Sequence, residues 1–136
     1  RSVDHPVPAK TDLRELFDRS ECCQMCFYCD RELERRVMAE LPELASNRWS
    51  PAFADINVRG VDKAAGVVAF AAYLGLAREQ IMAFGDGGND VTMLRAAGVG
   101  VAMGNASPAA SEAADFVTSD IDEDGIERAL EHFGVI

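Results

Sequence analysis

Gly85-Asp86-Gly87-Gly88-Asn89-Asp90 sets two carboxylates, an amide and three glycines between an apolar run, 81–84, and a stretch with helical spacing that begins at Val91. An apolar run that ends in charge and glycine predicts a buried strand with Asp86 at its tip. Gly87 and Gly88 carry no side chains, so backbone N–H groups can close on an anion, and the start of the following helix favours negative charge. Asn89 or Asp90 can cap that helix. Capping accounts for Asp90 but leaves Asp86 without a reason. Asp86 and Asp90, one helical turn apart, repel each other unless a cation or a lysine joins them. A hard divalent cation with oxygen ligands, Mg2+, would resolve that repulsion.

The elements that must carry this hexapeptide fall into two parts. From Gly60 onward, helical segments (63–76, 89–98, 107–114, 125–134) alternate with short apolar strands (80–86, 99–104, 115–119). That alternation predicts an α/β fold, with a parallel sheet covered by helices on both faces. Ligands in such sheets bind at the carboxyl ends of strands, where Asp86 is expected. The preceding part reads as α+β. A short helix over 10–19 is capped by Thr11 or Asp12, and a strand runs through the cysteines. A helix after Asp30 carries Leu33, Val37 and Leu41 as its apolar stripe and ends near Pro42. A second strand is expected between Asn47 and Val58, broken or marked as an edge by Pro51.

The chain has 136 residues, the size of one ordinary domain, and a formal net charge of −10. That field repels nucleic acid and anionic membrane surfaces and suits a cation site. The opening segment, 1–10, has no apolar core of a signal peptide, and no segment approaches a membrane span, so a reducing, cytoplasmic setting is expected. Cys22, Cys23, Cys26 and Cys29 crowd into eight residues. Their spacing invites an iron–sulfur or zinc reading, but the bulky Gln24, Met25, Phe27 and Tyr28 between them favour a strand. Alternating faces would then send Cys23 and Cys29 one way and Cys26 the other, so buried, reduced strand cysteines are expected. Asp120, Asp122, Asp124, Gly125 and Glu131 match a calcium-loop pattern, yet 115–119 reads as a strand where an entering helix is required. The acidic run is therefore read as a loop and helix start. His5 is read as a solvated tail residue and His132 as a helix-end residue; neither has a nucleophile partner.

With Lys63 in Gly-Val-Asp-Lys, the hexapeptide at 85–90, Gly-Val-Gly-Val-Ala-Met-Gly-Asn-Ala at 98–106 and Asp-Gly-Ile-Glu-Arg-Ala-Leu at 124–130, the C-terminal half resembles the Cof-type (type IIB cap) phosphatases of the haloacid dehalogenase (HAD) superfamily. The resemblance implies residues 1–58 as the C-terminal part of an α+β cap and 59–136 as the C-terminal half of a Rossmann-like core. It also implies a Mg2+-dependent phosphomonoester hydrolase acting on sugar phosphates or similar small phosphates. Asp86 would bind the metal directly. Asp90 would support it through water or pair with Lys63. Lys63 would hold the transferring phosphoryl group, and Asn89 would bond a phosphate oxygen. Arg48 and Trp49 in the cap-like part could meet the leaving group.

The departure from the pattern is as informative as the match. The family's nucleophile and general acid/base come from an Asp-X-Asp-Gly motif followed by Thr or Val after an apolar strand, and this sequence has none. The missing N-terminal half of the same protein is thus an expected partner, and the chain by itself is expected to bind Mg2+ weakly and hydrolyse nothing. Two other readings stay open: a non-catalytic fragment or subunit that binds metal and phosphate without turnover, and a thiolate-ligated metal protein.

Overall fold

The computed structural model describes residues 10–48 and 50–136, so the expectations for His5 and Trp49 lie outside the described residues. Helix α1 spans Leu13–Arg19 and α2 spans Arg31–Glu40, and each is started by an aspartate. Asp12 accepts a hydrogen bond from the backbone N–H of Arg14, and Asp30 from that of Leu33, which satisfies donors left free by the first turn. Strand β1 (Met25–Tyr28), β2 (Leu44–Asn47) and β3 (Phe53–Val58) form an antiparallel sheet in the order β1-β3-β2. Of the strand expected from Asn47 to Val58, Phe53–Val58 forms β3 and Asn47 is the last residue of β2, and Pro51 stands in the loop between them. Proline lacks the N–H that a paired strand position must donate, so the chain turns there.

The second half holds α3 (Lys63–Leu74), β4 (Met82–Gly85), α4 (Val91–Ala96), β5 (Val99–Ala102), α5 (Pro108–Ala113), β6 (Phe116–Val117) and α6 (Gly125–His132). Strands β4, β5 and β6 are parallel and lie in that order. Residues Ala83, Val101 and Ala102 are buried in this sheet, and Leu94 of α4 is almost fully buried against it. The α/β architecture expected from the alternating pattern is present, with the small antiparallel sheet as its companion. Among the described residues no helix is long and apolar enough to cross a membrane.

Two local expectations meet different outcomes. Only Cys26 lies within β1; Cys22, Cys23 and Cys26 are exposed, and Cys29 alone is buried. Burial thus fails for three of the four cysteines, and the buried one, Cys29, lies just past the strand, because β1 is a four-residue edge strand and its flanks are irregular chain. All four are free thiols, and among the described residues no three metal-ligating side chains converge. The acidic run behaves as a loop. Asp120 accepts a hydrogen bond from the N–H of Asp122 at 3.1 Å, Asp124 adopts φ 56°, and α6 follows. The element entering that loop is β6, not a helix. His132 ends α6, stacked on Phe116 with ring centroids 4.3 Å apart.

Candidate active site

Strand β4 ends at Gly85, and a single turn of 3-10 helix, Gly88–Asp90, leads into α4. Asp90 does not cap that helix. Its side chain turns back towards the strand tip, where Oδ2 accepts hydrogen bonds from the backbone N–H groups of Asp86 and Gly87, both at 2.9 Å. Oδ1 accepts a hydrogen bond from Nζ of Lys63. One carboxylate therefore closes the turn and joins it to the first residue of α3.

The electrostatics follow from that arrangement. The Asp90 side chain is only 5% exposed, whereas that of Lys63 is 50% exposed. Burial alone would raise the carboxyl of Asp90. The Lys63 ammonium and the two backbone donors outweigh burial and hold Asp90 below its ordinary value. Lys63 opens α3, where the helix dipole disfavours a cation, and the buried carboxylate offsets that penalty. The repulsion foreseen between Asp86 and Asp90 is thus relieved on the Asp90 side by the lysine.

Asp86 is left free for other work. It is exposed, and its carboxylate makes no hydrogen bond or ion pair among the described residues. Its backbone carbonyl accepts a hydrogen bond from the N–H of Ser107 at 2.8 Å, so the loop after β5 fixes the position of Asp86 from the far side. Asn89 is exposed at the same mouth and lines a cavity of about 380 Å³ together with Lys63. Lys63, Asp86, Asn89 and Asp90 are accordingly gathered at the carboxyl edge of the parallel sheet, two of them as a closed pair and two open to solvent.

The donor set suits a hard cation only in part. Asp86 is a hard oxygen donor, and Mg2+ is commonly held by one or two carboxylates, the rest of its shell being water and substrate phosphate. Asp86 fits that role. Asp90 has both oxygens engaged by protein donors, which favours its pairing with Lys63 over direct contact with a metal.

Arg48 has a different place from the one expected. Its Nε donates to Glu34 at 2.5 Å, Nη1 to the carbonyls of Ser50 and Pro51, and Nη2 to the carbonyl of Cys29 at 2.9 Å. The guanidinium holds the Glu34 carboxyl below its ordinary value and is itself raised by that partner. Arg48 clamps the loop between β2 and β3 to the start of α2; it does not reach towards a leaving group. Arg48→Ala should lower the thermal midpoint by several degrees while leaving phosphate affinity as it is. Parallel thermal melts and phosphate titrations would check this, and an equal loss in both would return Arg48 to the site.

Sequence reasoning missed two features. The N–H of Ser107 carries no side-chain signal, so no motif marks it. The cap sheet's polar face could have been found: Phe53-Ala54-Asp55-Ile56-Asn57 alternates with period two, and Asp55 and Asn57 both line the cavity above Lys63.

Comparison with known proteins shows the family. The family of haloacid dehalogenase-like hydrolases matches residues 2–130. YkrA of Bacillus subtilis (strain 168) is 38% identical over 144 residues, taking in 98% of this chain and 56% of YkrA. The 5-amino-6-(5-phospho-D-ribitylamino)uracil phosphatase YcsE of the same organism is 38% identical over 107 residues, covering 76% of this chain and 43% of YcsE. A solved phosphatase of the haloalkanoate (HAD) superfamily from Bacteroides thetaiotaomicron superposes with a TM-score of 0.90 at 55% identity, over 98% of this chain and 50% of that one. A solved HAD subclass IIB sugar phosphatase gives a TM-score of 0.77 at 44% identity, over 90% of this chain and 47% of that one. The chain spans about half the length of the relatives it matches. The alignments run along the whole of this chain, and they do not themselves supply the N-terminal partner segment that the motifs led us to expect.

Proposed function

Since the chain belongs to the haloacid dehalogenase-like hydrolases, we propose that it forms the metal- and phosphate-holding part of a Mg2+-dependent phosphomonoester hydrolase acting on sugar phosphates or similar small phosphates. The observation that carries the reading is the carboxylate of Asp86 at the end of β4, without a partner among the described residues, beside the closed Lys63–Asp90 pair. Phosphoryl transfer needs positioning and charge neutralisation more than covalent help from many side chains. Asp86 would hold Mg2+, which when bound offsets charge on the phosphoryl oxygens. Lys63, half exposed, would meet a phosphoryl oxygen, and Asn89 would donate its amide N–H to another. Asp90 is a positioning residue, since it orients the Lys63 ammonium and closes the turn that carries Asp86.

The route is an aspartyl-phosphate whose nucleophile lies outside these 136 residues, because no Asp-X-Asp-Gly followed by Thr or Val stands after an apolar strand here. A cytoplasmic setting and a small phosphorylated partner belong to the same proposal. The same features suit a second reading, a fragment or subunit that binds metal and phosphate without turnover.

Hydrolysis of p-nitrophenyl phosphate by the chain together with a segment that carries the Asp-X-Asp-Gly motif, and titration with Mg2+ and inorganic phosphate, separate the two. Mg2+-dependent turnover that Asp86→Asn lowers on the order of a hundredfold or more supports the enzyme. Binding of Mg2+ and phosphate without turnover, lost in Asp86→Asn, supports the second reading. Binding of neither ion overturns both.

A further inference from the structure

Strands β4 and β5 are parallel with Gly85 beside Ala102, so the chain leaves both at the same edge of the sheet. After β5 it makes a β-turn, closed by a hydrogen bond from the N–H of Ala106 to the carbonyl of Met103 at 2.9 Å, with Gly104 and Asn105 at its centre. Further bonds fix that turn from both sides. The N–H of Met103 donates to the carbonyl of Gly85 at 3.0 Å and that of Ser107 to the carbonyl of Asp86 at 2.8 Å. On the other side the N–H of Gly104 donates to the carbonyl of Ser119 at 2.9 Å. A Cβ at residue 104 would stand 2.5 Å from the backbone nitrogen of Asp120, so the turn needs glycine there. Nothing in the turn needs an amide at the next position. Asparagine is favoured in turns for a left-handed backbone, or for a bond between its side chain and a nearby N–H. The φ of Asn105 is not positive, its side chain makes no hydrogen bond among the described residues, and the cap of α5 is Ser107. Asn105 is exposed, two residues from the bond that holds Asp86.

We infer that Asn105 is a positioning residue for the metal of this site: its amide oxygen accepts a hydrogen bond from water on the Mg2+ that Asp86 would hold. The inference rests on the phosphatase reading and adds to it a residue from a second strand end. Mg2+ held by one or two carboxylates keeps several waters. Asp90 is engaged by protein donors, so water has to fill much of the shell beside Asp86. Such waters need acceptors of their own, and partners at this remove govern metal affinity nearly as strongly as the ligands do. An amide oxygen is a suitable acceptor, since it carries two lone pairs and adds no charge. The turn supplies the other requirement. Its backbone is tied to Gly85, Asp86 and Ser119, so Asn105 is held in register with Asp86 before an ion arrives and loses little freedom when one does.

Calorimetric titration of the chain with Mg2+ alone tests this, beside titration with inorganic phosphate in the absence of metal. Asn105→Ala should weaken Mg2+ binding about tenfold. It should leave the metal-free thermal midpoint and the metal-free phosphate affinity as they are, because Lys63 and Asn89 meet phosphate without it. Asn105→Asp keeps an acceptor in place and should bind Mg2+ at least as tightly as the unaltered chain. That result should hold at high salt, where attraction through space is screened, and it decides the matter if Asn105→Ala does not fold. Mg2+ affinity in Asn105→Ala within about twofold of the unaltered chain overturns the inference and leaves the phosphatase reading standing. So does a metal-free phosphate affinity that falls in step with it, or an Asn105→Asp protein that loses Mg2+ at high salt. Failure of the unaltered chain to bind Mg2+ overturns both.

Discussion

Asp90→Ala is expected to cost about 2–4 kcal/mol of folding stability and to abolish ordered binding at the turn. The physical ledger is short. The Asp90 carboxylate is buried, and three donors converge on it: two backbone N–H groups and the Lys63 ammonium. Removing it leaves the N–H groups of Asp86 and Gly87 without their acceptor, at about 1–3 kcal/mol for each buried donor that water cannot reach. Lys63 is half exposed and regains water, so its share of the loss is small. Asp90→Asn keeps an acceptor for the backbone donors and should cost less, while still losing the charge that orients Lys63. Denaturant unfolding of the two variants beside Asp86→Ala checks the order. An Asp90→Ala protein as stable as Asp86→Ala would remove the clamp from the account.

The same carboxylate gives the turn an acid limit. Asp90 is held below its ordinary value of 3.8 in the folded chain. A carboxyl lowered by folding contributes stability above its unfolded value, and that contribution is lost as pH falls through the lower, folded value. Its contribution is therefore complete at neutral pH and falls away only below about 3.8. In Asp90→Asn this acid-dependent part of the unfolding free energy should be missing.

Gly85→Ala is the second large effect, expected at about 1–3 kcal/mol together with a loosened Lys63–Asp90 pair. A Cβ at residue 85 would stand 2.5 Å from Cβ of Asp90 and 3.0 Å from its Cγ. Neither can move away cheaply, since the Asp90 carboxylate is pinned by three donors and its backbone starts α4. Gly88 offers the control: a Cβ there meets nothing within 4 Å, and Gly88→Ala should change stability by less than about 0.5 kcal/mol. Urea unfolding of the pair, with phosphate titration alongside, reads both effects. Equal costs at Gly85 and Gly88 would show that the turn is not packed as tightly as this contact requires.

Some of the site is legible in the sequence and some is not. Asp86 at a strand tip follows from an apolar run ending in charge, a pattern local enough to read directly. The α/β alternation after Gly60 is likewise local, because each short strand and helix carries its own period. Asp30 as a helix start needed only its position relative to an apolar stripe, whereas the choice of Asp12 over Thr11 for the first helix came from the structure. The break within 47–58 was signalled by Pro51, but not the clamp made by Arg48, whose hydrogen bonds reach residues 29, 34, 50 and 51. No local pattern shows that a guanidinium will be spent this way.

By itself, then, the sequence determined the order of elements, the strand tip that carries Asp86 and the family pattern that joins Lys63 to it. These rest on periodicity and residue type, which act over a few positions along the chain. Tertiary structure alone decided that Asp90 clasps the turn instead of capping α4, that three of the four cysteines are exposed, and that Asp55 and Asn57 roof the cavity over Lys63. Each of those depends on which distant segment arrives at the same point in space: Lys63 lies 27 positions from Asp90, and Gly85 has room for Asp90 only because it has no side chain. Donor, acceptor and steric partners at such separations are set by packing, and packing is not a property of any short stretch of chain.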